Sequence, residues 1–236
     1  MPLQPHERII IALDVATVAA ARSLVDQLID EVCTFKIGPH FFLDPDFSSF
    51  VTEILASGMT GLFLDFKHFD IDETVRMAVR QAASRGVNFV TVHPHRSTMM
   101  VAAEAAKGSS LNVLAVPLLT SFDSDDLFEF FRYEVDAVHT TAEFMVERAL
   151  LAEACGCHGV ICSPEEVAEL RKWVGDRTLL VTPGTRPEWA STDDHKRYGT
   201  PKQAVLDGAD YLVIGRPVIR AESPRDAFRR IADELQ

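Results

Sequence analysis

Three charged side chains, acid, base and acid, crowd the segment Asp65-Phe66-Lys67-His68-Phe69-Asp70, which follows a short apolar run from Gly61 to Leu64. The run reads as a buried strand ending at Leu64, and strand side chains alternate with period two, so Asp65 and Lys67 are expected on the same side. Asp70 lies beyond the strand and can point elsewhere, including across a subunit boundary. Carboxylates around an ammonium are costly to bury and are seldom kept for packing alone. Two further charges stand at similar places: Asp14 closes the run Arg8–Leu13, and Lys36 lies inside the run Cys33–Ile37. In such a set each ammonium keeps its neighbouring carboxylates ionised, each carboxylate holds the lysines protonated, and the titrations are coupled. That suits a reaction that generates a carbanion and then protonates it from Lys67, with no metal and no cofactor. Schiff-base chemistry with pyridoxal phosphate fits less well, because it needs a lysine that can be neutral.

A second constellation lies near the other end of the chain. Gly215-Arg216 follows an apolar run, and Thr182-Pro183-Gly184-Thr185-Arg186-Pro187 follows another, leading into a polar stretch to Arg197. Backbone N–H groups at Gly215 and Arg216 together with a guanidinium can grip a phosphate dianion through charge-assisted bonds. The stretch 188–198 is long enough to serve as a lid.

The elements that must position these residues follow from periodicity. Eight short runs are almost continuously apolar: Arg8–Leu13, Cys33–Ile37, Gly61–Leu64, Asn88–Val92, Leu111–Val116, His158–Cys162, Arg177–Val181 and Tyr211–Ile214. Strands covered on both faces, as in parallel sheets, read this way. Between them, Ala19–Ile29, Thr74–Ala83, Thr98–Ala106 and Glu143–Ala154 carry apolar residues at helical spacings. Ser163-Pro164, Thr200-Pro201 and Ser223-Pro224 read as capped helix entries with proline at the first position. Eight strands alternating with helices predict an α/β fold, a (β/α)8 barrel forming a single domain over residues 1–236. No G-x-G-x-x-G or P-loop pattern supports a nucleotide fold of the open-sheet type. In a barrel the strand ends Asp14, Lys36, Asp65, Lys67, His93, Ser121, Gly184, Gly215 and Arg216 would share one face, and loops seven and eight are the usual phosphate site. The segment from Phe122 to Tyr133, rich in Asp, Glu and Phe, is expected to cover apolar surface at the rim or at a subunit contact.

The overall balance of 23 basic against 35 acidic residues, a formal charge of −12, argues against nucleic acid or an anionic membrane as partner. A local Lys/Arg pocket can still override that field for a small anion. No apolar stretch approaches a membrane span and no signal-like leader is present, so a cytoplasmic protein is expected. The four cysteines, 33, 155, 157 and 162, show no framework spacing; Cys33 and Cys162 read as buried thiols.

These residues resemble the orotidine 5′-monophosphate decarboxylase family over nearly the whole chain. The matching pieces are Ala12-Leu13-Asp14, Phe35–Gly38, Phe63–Thr74, Leu118–Ser121, Gly159–Ser163, Val181–Pro187 and Val213–Pro217. D-x-K-x-x-D alone is shared with sugar-phosphate enzymes of the same superfamily; the Thr-Ser pair and T-P-G-x-R-P are more specific. The resemblance implies decarboxylation of orotidine 5′-monophosphate to UMP and CO2 in pyrimidine synthesis, without metal or cofactor, by a homodimer. Asp65 would lie against the substrate carboxylate and Lys67 would protonate C6. Asp14 and Lys36 would hold the ribosyl hydroxyls, and Asp70 and Thr74 would come from the partner subunit. Ser121 would read the pyrimidine, with Arg186, Gly215 and Arg216 toward the phosphate. Three departures stand out: the order His68-Phe69 is reversed, His93-Pro94-His95-Arg96-Ser97 replaces a glycine-containing loop, and His195 stands where a bridging Gln is usual. A Mg²⁺-dependent sugar-phosphate enzyme and a noncatalytic nucleotide-binding paralogue are the competing readings.

Overall fold

Each of the eight apolar runs forms a strand, and the strands close on themselves. In the computed structural model, which describes residues 3–58, 61–122, 126, 140–190 and 199–236, the strands are β1 (Ile9–Ala12), β2 (Thr34–Ile37), β3 (Gly61–His68), β4 (Phe89–Val92), β5 (Asn112–Ala115), β6 (Gly159–Ile161), β7 (Leu179–Pro183) and β8 (Tyr211–Ile214). All pair in parallel and in chain order, and β8 returns to β1 through Ile10↔Val213. The fold is a (β/α)8 barrel.

Helices follow every strand: α1 (Val18–Leu28), α2 (Phe47–Ala56), α3 (Asp72–Ser84), α4 (Arg96–Ala106), α5 (Thr141–Ala154), α6 (Pro164–Trp173), α7 (Pro201–Leu206), α8 (Arg216–Ile219) and α9 (Pro224–Glu234). Three of them, α6, α7 and α9, start at the Ser-Pro and Thr-Pro entries. Thr200 and Ser223 hydroxyls accept from Gln203 and Asp226 N–H groups at 3.2 and 3.3 Å, and Ser163 N–H donates to Glu166 at 2.7 Å. Such caps satisfy backbone donors that the first helical turn leaves open. Helices α2, α3, α4 and α8 start without a side-chain cap bond.

The unbroken hydrophobicity of the strands is explained by two concentric cores. Ile9, Ile11, Phe35, Ile37, Val90 and Ile214 point outward and pack against helix residues such as Leu24, Val79 and Ile231. Ile10, Ala12, Phe63, Phe89, Leu114, Val181 and Val213 point inward and fill the barrel. The Phe89 ring lies 5.7 Å from Phe63 and 5.2 Å from Tyr211, centroid to centroid, which plugs the barrel axis. A site can therefore open only above this layer, at the C-terminal strand ends. Gly159 shows how tightly the strands meet: a Cβ there would fall 2.2 Å from the Leu179 carbonyl oxygen.

Two expectations need correction. β3 does not stop at Leu64 but runs on to His68, through a break in register. Cys33 is half-buried, whereas Cys157 joins Cys162 in the interior; all four thiols are free. Burial pushes the thiols of Cys157 and Cys162 up to about 12, which leaves them chemically quiet. Among the described residues no helix is long and apolar enough to cross a membrane. Most of the Phe122–Tyr133 segment, and with it the expectation attached to it, lies outside the described residues.

Candidate active site

Inward-facing positions continue past the plug as charged residues on β1, β2 and β3 and as a glycine on β8. On β1 the series Ile10, Ala12 leads to Asp14; on β2 Thr34 leads to Lys36; on β3 Phe63 leads to Asp65; on β8 Val213 leads to Gly215. The period-two alternation that builds the inner core thus aims these side chains into one cavity of about 470 Å³ at the C-terminal mouth. That volume lies in the range of small-ligand sites.

The centre of the site is Asp65. Its Oδ2 lies 3.3 Å from Lys36 Nζ, and its Oδ1 lies 2.9 Å from Lys67 Nζ. Lys36, only 8% exposed, also reaches Asp14 Oδ1 at 3.3 Å. A buried ammonium without partners would cost several kcal/mol; two carboxylates share this one. Burial by itself would raise the Asp65 carboxyl. Lys36 and Lys67, with hydrogen bonds from Lys67 and Thr91, outweigh it and hold the group below the ordinary aspartate range. Asp65 is accordingly favoured as a carboxylate, fixed between two ammonium groups.

Lys67 reaches this position by an unexpected route. Leu64 pairs with Val90 and His68 with Val92, so Asp65, Phe66 and Lys67 bulge opposite Thr91 alone. Lys67 takes a positive φ of 49°, a left-handed conformation that costs roughly 1–2 kcal/mol for a residue with a Cβ. Simple alternation does not hold here, and the two side chains meet because of the bulge. Thr91, which the sequence reading passed over, is wholly buried and bonds both residues. The signal was present: Thr91 shares the inward parity of Phe89 in an otherwise apolar run.

The loops after β7 and β8 carry guanidinium groups. Arg186, Arg216 and Arg220 line the cavity together with Gly184 and Gly215. Arg186 is 6% exposed and donates from Nη1 to the Thr185 carbonyl at 3.0 Å, and its backbone N–H donates to Gly199 O at 2.8 Å. Arg220, which caps the C-terminus of α8 one turn beyond Arg216, was not foreseen. Among the described residues five cationic against two anionic side chains line the cavity, an excess of three in a chain of net charge −12. Lys36 and Lys67 are matched by Asp14 and Asp65, so the excess sits on the arginine side. The described lining suits a polyanion and adds apolar surface from Val116, Leu118 and Ile161.

Not every expected residue meets this cavity. Asp70 and Thr74 are exposed and are absent from its lining; Asp70 Oδ1 instead accepts the Ile71 N–H at 2.7 Å. Ser121 is exposed at the rim, while the preceding Leu119 and Thr120 face the cavity. His195 lies outside the described residues, as does most of the expected lid. Two of the sequence departures turn out to be one feature: Phe69 stacks on His93 at 4.1 Å and lies 6.4 Å from His95. A rearranged loop after β4 therefore seats the phenyl ring that the reversed His68-Phe69 order presents.

Comparison with known proteins gives one answer. A model described as "Orotidine 5′-phosphate decarboxylase / HUMPS family" matches residues 7–231. The orotidine 5′-phosphate decarboxylase of Afipia carboxidovorans is 42% identical over 234 residues, covering 99% of this chain and 97% of its own. That of Bradyrhizobium diazoefficiens is 41% identical over 235 residues, covering 99% and 94%. The crystal structure of orotidine 5′-phosphate decarboxylase from Lactobacillus acidophilus superposes with a TM-score of 0.81 at 31% identity, covering 98% of this chain and 99% of that one.

Proposed function

Since the chain belongs to the orotidine 5′-phosphate decarboxylase / HUMPS family, we propose that it is a carboxy-lyase converting orotidine 5′-monophosphate to UMP and CO2 in pyrimidine biosynthesis. The observation that carries the reading is a carboxylate, Asp65, held between two ammonium groups at 3.3 and 2.9 Å and facing an arginine-lined phosphate end. Asp65 would oppose the substrate carboxylate. Heterolysis of the C6–carboxylate bond releases CO2 and leaves the electron pair on C6. Lys67 then gives C6 a proton and recovers one from solvent. As CO2 departs, negative charge leaves the neighbourhood of Asp65 and appears where Lys67 stands, so the preset charges favour the transition state over the ground state. Asp14 and Lys36 would hold the ribosyl hydroxyls, and Thr120, with Ser121 at the rim, would meet the pyrimidine edge.

The functional unit is proposed to be a homodimer. Phe42 (53% exposed), Leu43 (98%), Phe69 (63%), Ile71 (73%), Met77 (54%) and Met100 (52%) lie on the loops after β2 and β3 and on α3 and α4. These elements are neighbours around the barrel, and apolar exposure concentrated this way marks an association surface. Asp70 and Thr74 lie within it, which suits their reaching a partner's cavity. A cytoplasmic setting fits the four free thiols.

The direct test is release of CO2 from orotidine 5′-monophosphate by the purified chain in excess EDTA. Undiminished turnover is expected, because the proposed charges are all side chains. Strict dependence on Mg²⁺ with no turnover of this nucleotide would instead favour a sugar-phosphate substrate, and tight UMP binding without CO2 release a noncatalytic role. Arg216 provides a second check. Arg216→Ala is expected to cost about 2–5 kcal/mol in kcat/KM, the range for truncating one partner of a buried hydrogen-bonded charge pair. Part of the loss should fall on kcat, since phosphate binding energy can be used to close the site. Orotidine, which lacks the phosphate, should be nearly indifferent to the change; an equal loss for orotidine would make Arg216 structural.

A further inference from the structure

Thr91 occupies the point where β3 and β4 fall out of register. Three residues of β3, Asp65, Phe66 and Lys67, face it alone, because the flanking pairs are Leu64↔Val90 and His68↔Val92. A bulge of that kind leaves backbone groups without ladder partners. The Thr91 hydroxyl takes over: its oxygen accepts the Lys67 N–H at 2.9 Å, and its proton goes to Asp65 Oδ1, also at 2.9 Å. A hydroxyl has one proton and two lone pairs, so these bonds fix its orientation completely. The same Oδ1 receives Lys67 Nζ at 2.9 Å, closing a ring of backbone, hydroxyl, carboxylate and ammonium. Lys67 is the one non-glycine with positive φ among the described residues, and Thr91 anchors its N–H in that conformation. Thr91 is 0% exposed and does not line the cavity, so it cannot meet a ligand itself.

We infer that Thr91 is a positioning residue for the decarboxylation, its hydroxyl holding the bulged Lys67 and the Asp65 carboxylate in the relative geometry that proton delivery to C6 requires. The inference rests on the reading given under Proposed function. Without the hydroxyl, the carboxylate loses a fixed donor and is free to turn about its terminal torsion, and the Lys67 backbone loses its anchor. The ammonium would then stand off from C6. Ligand affinity would change little, because the Thr91 hydroxyl bonds Asp65 and Lys67 and not the arginines, Asp14 or Lys36. The signature is a loss confined to kcat.

The experiment compares wild type, Thr91→Val and Thr91→Ser, measuring kcat with orotidine 5′-monophosphate and the affinity for UMP by calorimetry. Valine keeps the shape and removes the hydroxyl; serine keeps the hydroxyl and removes the methyl. Misplacement of reacting groups on the ångström scale can cost about a hundredfold, so Thr91→Val is expected to lower kcat by roughly ten- to a hundredfold with UMP affinity within about twofold. Thr91→Ser should recover to within about threefold of wild type. Should Thr91→Val fail to fold, Thr91→Ala, which leaves room for a water at the Lys67 N–H, takes its place with the same expectation. A hydroxyl-free variant with near wild-type kcat, UMP affinity falling in step with kcat, or a serine variant as impaired as the valine one would each overturn the inference. Failure of the wild-type chain to decarboxylate the nucleotide would overturn the functional reading itself and the role of Thr91 with it.

Discussion

Replacement of Lys67 by alanine is expected to abolish decarboxylation, lowering kcat by more than about 10⁴-fold while leaving UMP binding measurable. General acid catalysis typically contributes a factor of roughly 10²–10⁴, and one preorganised electrostatic contact about 10²–10³; Lys67 supplies both to the same developing charge. The fold should tolerate the change, since the side chain is 42% exposed at the cavity and fills no core space. Asp65 would keep Lys36 at 3.3 Å and the Thr91 hydroxyl at 2.9 Å, so it would still be held in place after its second cation is gone. A single-turnover measurement separates chemistry from release. A Lys67→Ala enzyme keeping more than a tenth of the wild-type rate would mean that the proton comes from elsewhere.

The second large effect is one of gain. Asp70→Ala and Lys67→Ala dimers, each inactive alone, should regain activity when mixed and allowed to exchange subunits. In a two-fold dimer each cavity would join Lys67 of one subunit to Asp70 of the other, so a mixed dimer rebuilds one intact site and carries one doubly damaged site. With complete random exchange about a quarter of the wild-type site activity should return. The geometry motivates this: Asp70 is exposed, bonds only its neighbour's N–H among the described contacts, and does not line its own cavity. Its neighbours Phe69 and Ile71 are apolar and more than half exposed, which suits a covered surface better than a solvated one. If activity stays at zero after mass spectrometry has shown exchange, Asp70 serves its own subunit or none.

Much of this molecule was legible in the chain itself, and the reason is burial. Strands buried on both faces must be apolar throughout, so the eight runs and their parallel closure could be read from composition and spacing alone. Asp14, Lys36, Asp65, Arg186 and Arg216 could be read because charge inside or just beyond such a run is costly without a purpose, and all five reach one cavity. Other features depend on what lies across the barrel. Period two cannot foresee that three residues of β3 face Thr91 alone, because register is set by the neighbouring strand. Thr91 therefore passed for strand filler until its bonds to Asp65 and Lys67 were seen. Arg220 carries no mark in the sequence, and it is the fold that brings it, at the end of α8, to the cavity beside Arg216. Asp70 and Thr74 share a motif with Lys67, yet the turn out of β3 into α3 carries both away from the Lys67 cavity to the outer surface. Local sequence sets which residues are buried or charged; which of them meet is decided by strand register and chain reversal, and those exist only in the folded molecule.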